Sequence, residues 1–441
     1  MPSKEVEVSS QKRYDFPIEV REIHHDGKII VVSPATACWI VLDNESQLQF
    51  FNLLRSHNLE ESLSIFKGAE DDAMWVVTQL EARSFEKKET VNKQQESSAH
   101  IYLTNKCNMR CPHCYMFAGE KFSDELSDEE ILQVIEGLAK GGVQSVVFSG
   151  GEPLLNVGLQ AFVKKASALG MKVEILSNGT LWSQKLIDEI SPYLDRVQIS
   201  IDGFDETSNA SVRGEGNFEK ALSTVDTLLK KGVRVAVAMV PKWSETLERD
   251  APEYVEFIKG LLGKYSDKLF DFNIVGDLWE GRNLKMSGDE QKLFKNIISG
   301  IFREIYGENS EDDSFIEFHR RLGIEENCAY GNLSIAANGD VFLCAQIHPL
   351  HPLGNIRTDS IEELLKLSDK AKSKSEVSQI QPCSECEIRY ICGGDCRIKH
   401  FSVLNEGRIP SQTEIPTREC TREYKESMYD LMIRTNEYIF Q

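Results

Sequence analysis

A chain of 441 residues has room for about three domains, and with 41% hydrophobic residues it can build sizeable cores, which excludes a disordered chain. The formal net charge of −20 repels phosphate backbones and anionic lipid, so neither a nucleic acid nor a membrane is an expected partner. No apolar run approaches the ~18 residues of a membrane span, and the polar N-terminal stretch lacks the apolar core of a secretory signal, so the chain reads as cytoplasmic.

Residues 18–23 and 28–32 read as two strands around Asp26-Gly27, a hairpin signal. Three short helical patterns follow. Leu48, Phe51 and Leu54 mark the first; Leu59, Leu63 and Phe66 the second; Met74, Val77, Leu80 and Glu81 the third. A hairpin with three helices predicts a small winged-helix-like α+β domain over residues 1–85. Residues 86–99, in a polar stretch without apolar period, read as a linker.

Residues 100–306 alternate strand and helix. Strands are expected at 101–104, 145–148, 173–176, 197–201, 233–240 and 270–275, and Ser127 with Glu130 can form a capping box for a helix over 131–140. Such alternation predicts parallel βαβ units, in a barrel or an open sheet, with chemistry at the carboxyl ends of the strands. Those ends carry Ser149-Gly150-Gly151-Glu152-Pro153, Ser177-Asn178-Gly179 and Asp202-Gly203, although each taken singly is also ordinary turn chemistry. A helix over 289–306 and an acidic loop at 308–313 lead into residues 307–441. That segment is rich in cysteine and turn signals and would draw much of its order from bound metal.

Eleven cysteines are present, and none falls between Cys114 and Cys328. A disulfide framework belongs to oxidising compartments and short chains, whereas clustered cysteines in a long cytosolic chain point to metal. Residues 107–114 read Cys-Asn-Met-Arg-Cys-Pro-His-Cys. Three thiolates on one short loop can hold three irons of a cubane and leave the fourth to an outside ligand. Zinc is the alternative, but it wants a fourth protein ligand, and His113 lies too close to Cys114 to serve comfortably. The later cysteines run Cys328, Cys344, Cys383-x2-Cys386-x5-Cys392-x3-Cys396 and Cys420, where zinc ribbons are again the alternative. Cys38, beside Trp39 in an apolar stretch, reads as a buried small hydrophobe.

The first cysteine loop, Gly150-Gly151-Glu152-Pro153 after the second barrel strand, Ser200 at the end of the fourth and Arg213 in Ser-Val-Arg-Gly together resemble the radical S-adenosylmethionine (SAM) enzymes, over about residues 100–280. The resemblance implies an α/β fold, a partial (β/α)6 barrel, with a catalytic 4Fe-4S cluster on Cys107, Cys111 and Cys114. It implies SAM contacts at His113, Gly150, Gly151, Glu152, Asn178, Ser200, Asp202 and Arg213. An amino-acid head needs an anion near its ammonium and a guanidinium near its carboxylate, as Glu152 and Arg213 would supply. His113 departs from the aromatic that the family usually places before the third cysteine. In that family a reduced cluster passes one electron into the sulfonium, and the resulting 5′-deoxyadenosyl radical takes a hydrogen from substrate.

The later cysteines resemble the SPASM extension, which implies two auxiliary 4Fe-4S clusters. Cys328, Cys344 and Cys396 would hold the first; Cys383, Cys386, Cys392 and Cys420 the second. Ten of the eleven cysteines are then used, and the first auxiliary cluster has a position open to a substrate thiolate, a water or another side chain. The N-terminal domain resembles leader-recognition domains of enzymes that modify ribosomally made peptides, which offer a strand edge to an extended peptide; a structural cap is the alternative. The implied function is a peptide maturase of the thioether-forming sactipeptide or ranthipeptide type, with a precursor peptide and an electron donor such as flavodoxin or ferredoxin as partners. Carbon–carbon crosslinking, epimerisation, sulfatase-maturing oxidation and a non-enzymatic iron–sulfur carrier are the alternatives. A carrier has no need of the Glu152, Ser200 and Arg213 pattern.

Overall fold

The structure, a computed structural model, describes residues 8–86, 97–276, 281–282, 284–308, 310, 328, 330–347, 350–394, 396–398 and 420–440. Asp26 and Gly27, both at positive φ, close a two-residue turn between β1 (Arg21–His25) and β2 (Lys28–Val32). A third antiparallel strand, β3 (Trp39–Leu42), pairs with β2 and sets Val31 opposite Ile40. This strand is the apolar stretch next to Cys38; four residues are too few to show a period, so only the pairing identifies it. The helices α1 (Glu45–Leu54), α2 (Leu59–Ile65) and α3 (Glu70–Ala82) follow. Two positions that marked the helical patterns face solvent, Leu63 at 45% and Met74 at 58% exposure; α3 buries Ala73, Val76, Gln79 and Leu80 instead. Phe85, just before the expected linker, is fully buried against Phe16 and Phe51. Most of the expected linker, 87–96, lies outside the described residues.

Both faces of this small sheet are covered. Ile29, Val31, Ile40 and Leu42 pack against α1 to α3. Ile30, Val32, Trp39 and Val41 pack against Ile388, Ile391, Tyr429 and Met432. The last two residues lie on a C-terminal helix of residues 422–440. The unbroken apolar run of β2 reflects this two-sided burial. Polar ties add direction: an Arg21 guanidinium nitrogen donates to the Glu385 carbonyl at 2.8 Å, and His25 Nε2 lies 2.7 Å from Asp430. On the outer edge of β3, the Gln79 carboxamide accepts from Val41 N at 3.0 Å and donates to the Val41 carbonyl.

Six parallel strands form the centre: β4 (Ser98–Tyr102), β5 (Ser145–Ser149), β6 (Lys172–Ser177), β7 (Arg196–Ser200), β8 (Arg234–Met239) and β9 (Phe270–Ile274), paired in that order. Between them run α4 (Asp128–Lys140), α5 (Leu159–Ala168), α6 (Gln184–Ile190), α7 (Glu206–Arg213), α8 (Phe218–Lys230) and α9 (Leu247–Lys264), with α10 (Gly288–Tyr306) after β9. The Ser127–Glu130 capping box is present in full. Apolar positions such as Val146, Phe148, Val173 and Ile175 alternate toward the helices and form the main core.

The sheet does not stop at β4. A strand from the cysteine-rich segment, β10 (Ser334–Ile335), lies parallel to β4 with Ser334 opposite His100, and β11 (Asp340–Phe342) and β12 (Gly354–Asn355) extend it to nine strands. Helix α11 (Ile361–Ser375), a single helical turn at Arg389–Cys392 and helix α12 (Arg422–Phe440) belong to the same segment. Arg357 ties it to the barrel, with Nε 2.6 Å from Glu130 and Nη1 donating to the carbonyls of Asp124 and Asn338. Of the acidic loop at 308–313, only Glu308 and Ser310 are described residues. Among the described residues no helix is long and apolar enough to cross a membrane.

Met432 of α12 is fully buried against the N-terminal sheet. Met432→Ala should cost about 2–5 kcal/mol, the usual range for emptying such a site. Urea unfolding measures the loss, and hydrogen exchange should show faster exchange across β2 and β3. Unchanged exchange there would mean that α12 does not hold the sheet.

Candidate active site

The loop after β4 carries Cys107, Cys111 and Cys114, and its backbone is pinned. Cys107 N donates to Gly119 O at 2.9 Å, Gly119 N to Asn105 O at 2.8 Å, and Arg110 Nη1 to Cys107 O at 2.7 Å. Glu125, with 2% of its side chain exposed, accepts from Thr104 Oγ1, Asn105 N and Phe122 N at 2.8–3.1 Å. The turn after β5 presses on the same loop: Gly151 N donates to Thr104 O at 2.8 Å and Glu152 N to Lys106 O at 2.9 Å. A Cβ at Gly150 would stand 2.4 Å from the Thr104 carbonyl oxygen, and one at Gly151 2.3 Å from that of Lys106. Both positions need glycine because backbone meets backbone there, and Gly150 also has φ +136°.

Glu152 is fully buried at the end of β5. Its carboxylate accepts from Ser177 Oγ at 2.9 Å, Asn178 N at 2.8 Å and Leu154 N at 3.2 Å. Burial pushes its carboxyl up to about 7, although those donors and the charge of Arg213 favour the ionised form. Asn178 reaches the cysteine loop, its Nδ2 donating to Asn108 Oδ1 at 2.8 Å. Ser200 ends β7, half-buried and in register with Ala238.

Asp202, fully buried two residues beyond the end of β7, accepts from Val240 N at 2.9 Å. Its other oxygen stands 2.7 Å from Arg213 Nε and 3.4 Å from His113 Nε2. The Arg213 contact is close but not aligned, so Asp202 Oδ2 and Arg213 Nε are buried without a hydrogen bond. Burial disfavours the Arg213 charge, yet Asp202 and the thiols of Cys111 and Cys107 more than restore it. Burial holds His113 below its ordinary value against the pull of Asp202. A buried guanidinium beside the thiols of Cys107 and Cys111 fits the carboxylate of an amino-acid ligand chelated to iron.

The remaining cysteines form two groups. Cys344 lies within electrostatic reach of Cys328 and Cys396; burial first, then those thiols, push it up to about 12. All three pack on the main core. Cys383, Cys386, Cys392 and Cys420 line one cavity of about 420 Å3 beside Lys425, which pairs with Glu387 at 2.8 Å. These are the two sets that the SPASM resemblance implies. None of the eleven cysteines is in a disulfide. Among the described residues no three His, Cys, Asp or Glu groups converge to hold a single ion; the thiolates of a cubane each take a different iron and need not converge. Burial also pushes Cys111 up to about 11, so iron binding must displace protons from these thiols.

The sequence reading missed four residues that shape the site. Asn108 and Glu125 brace the cysteine loop; Tyr102 and Tyr115 lie between that loop and Cys344. Glu125 sits in an acidic run that looks solvated, and no spacing marks the tyrosines.

Residues 101–257 match the family model described as the radical SAM superfamily, and residues 327–387 that described as SPASM, an iron-sulfur cluster-binding domain. The chain is similar to pre-heme d1 synthase of Dinoroseobacter shibae, 30% identical with 69% of this chain and 82% of that protein covered. It is also similar to the sporulation killing factor maturation protein SkfB of Bacillus subtilis, 29% identical over 64% of this chain and 70% of that protein. Among solved structures it shares the fold of native anSMEcpe with bound AdoMet and Cp18Cys peptide, with TM-score 0.53, 17% identity and 77% of this chain and 96% of that chain covered.

Glu152 yields a pH test. Its carboxyl ionises at 4.5 in the ordinary state and is held up to about 7 in the fold. Its contribution to stability is full below the lower value, is lost as pH rises through the upper one, and is level beyond. Glu152→Gln keeps an acceptor and removes the titration. Without SAM, the wild-type thermal midpoint should fall relative to that of Glu152→Gln between about pH 5 and about pH 8. Parallel curves would contradict the buried-carboxyl reading.

Proposed function

The chain belongs to the radical SAM superfamily and carries a SPASM iron–sulfur domain, and from that premise we propose that it matures a ribosomally made peptide by joining a cysteine sulfur to a carbon. The observation that carries the reading is the N-terminal sheet packed beside Cys386 and Cys392. That sheet lies outside both family matches, at 101–257 and 327–387. The relatives named above have different substrates in their names, so barrel and SPASM domain alone do not set the substrate. A hairpin domain fixed to the enzyme body suits a leader peptide, because a leader held there tethers its downstream core residues and raises their local concentration at the barrel. SkfB is named for maturation of the sporulation killing factor, and the solved structure of like fold has AdoMet and a peptide bound.

Cys107, Cys111 and Cys114 would hold the catalytic cluster, which with SAM supplies one-electron cleavage and a hydrogen-abstracting radical. Arg213 would bind the SAM carboxylate, while Asp202, 2.7 Å from its Nε, keeps the guanidinium in place. Glu152 faces the ammonium, and the approach of that cation favours its ionised form. Gly150 and Gly151 hold the strand end against the cluster loop. His113, Asn178 and Ser200 complete the SAM pocket. Cys328, Cys344 and Cys396 would hold one auxiliary cluster and leave a position for the peptide thiolate; Cys383, Cys386, Cys392 and Cys420 would hold the other. An electron donor such as flavodoxin or ferredoxin would supply electrons.

The test is anaerobic turnover with SAM, a reductant and a cysteine-bearing precursor. The product should be lighter by two hydrogens per crosslink and lose one alkylatable thiol each time. A Cys→Ser precursor should give no crosslink. The same mass loss with every thiol still alkylatable would replace the thioether by a carbon–carbon bond, and inversion of a residue without mass change would make the enzyme an epimerase.

A further inference from the structure

A tyrosine hydroxyl reaches one thiol of the second auxiliary group. Tyr424 Oη lies 3.5 Å from Cys392 Sγ, within reach of a hydrogen bond to sulfur. Tyr424 also lines the cavity shared by Cys383, Cys386, Cys392 and Cys420. A free thiol and a phenol could each donate, but a thiolate bound to iron has no proton to give. With Cys392 as a ligand, the hydroxyl is therefore the donor.

The fold holds both ends of this contact. Tyr424 stands in the first turn of α12, just after Cys420 in the chain, and its N donates to Thr421 Oγ1 at 3.2 Å. The next residue, Lys425, places Nζ 2.8 Å from Glu387 Oε1 and 3.0 Å from Oε2. One turn further on, the Tyr429 hydroxyl donates to the same carboxylate. Glu387 follows Cys386, so two successive turns of α12 are fastened to the segment that carries Cys386 and Cys392. On that segment Cys392 N donates to the Ile388 carbonyl at 2.8 Å, and Cys386 and Cys392 pack on the core that contains Tyr429. The hydroxyl and the sulfur thus meet between two elements joined to each other, not at the end of a loose side chain.

We infer that Tyr424 is a positioning residue that acts through Cys392: its hydroxyl donates to that thiolate and raises the reduction potential of the cluster on Cys383, Cys386, Cys392 and Cys420. The inference rests on reading those four cysteines as the ligands of one 4Fe-4S cluster. The physical cause is charge. Reduction adds one negative charge, shared by the sulfurs, so a donor aimed at a ligand sulfur favours the reduced state.

The experiment uses the anaerobically reconstituted holoenzyme. Metal content and the number of midpoints in a redox titration of the wild type, followed by electron paramagnetic resonance, decide the ligand reading first. Tyr424→Phe and Tyr424→Leu are then compared with the wild type at equal iron content. In Tyr424→Phe one midpoint should move to lower potential while the other two stay. Electron–nuclear double resonance of that reduced cluster should lose one strongly coupled proton that exchanges in heavy water, in Tyr424→Leu as in Tyr424→Phe. If Tyr424→Phe leaves all three midpoints and the proton in place, or if only Tyr424→Leu moves a midpoint, the ring acts there without its hydroxyl and the inference alone is overturned. Equal shifts of all three midpoints would also overturn it. A wild type with fewer than three midpoints and with bound zinc would overturn the ligand reading instead.

Discussion

The close meeting of two backbones organises this protein. Residues 104–106 lie against Gly150 and Gly151, with hydrogen bonds of 2.8 and 2.9 Å and no room for a Cβ on either glycine. This contact joins the ends of β4 and β5 and thereby fixes where the cysteine loop begins. From it follow the placement of Glu152 over the end of β6 and the reach of Asn178 to Asn108. Parallel strands deliver these residues to one edge because every strand points the same way.

The site is held short of electrostatic satisfaction. Glu152 and Asp202 are both fully buried, and Asp202 Oδ2 and Arg213 Nε meet at 2.7 Å without alignment. Burial also raises the thiols Cys107, Cys111 and Cys344. Each of these costs free energy that a cationic iron–sulfur core and a zwitterionic ligand would offset. The polar braces around the loop, Glu125 and Arg110 above all, hold this arrangement in place.

Much of this was legible in the residues. Cysteine spacing grouped the thiols, Asp26-Gly27 gave the hairpin, and Ser127 with Glu130 gave the start of α4. These signals are local, and the chemistry that sets them lies within a few residues. What escaped was non-local. β3 and β10 to β12 are two to four residues long and are identified by their partners, not by a period. The burial of Ile30 and Val32 against Met432 joins chain segments some four hundred residues apart. The phase of α3 was misread because Gln79, a polar residue, faces inward to serve the β3 backbone. Tyr102 looks like any core aromatic until the Ala345 carbonyl is seen.

The central claim is that one nine-stranded sheet and the segment folded on it present three separate groups of thiols, each for a 4Fe-4S cluster. Iron analysis with Mössbauer spectroscopy of the anaerobically reconstituted chain tests it most directly. The account predicts about twelve irons, all in cubane clusters, and about eight after Cys107, Cys111 and Cys114 are replaced by alanine. About four irons in the intact chain, accompanied by zinc, would contradict it.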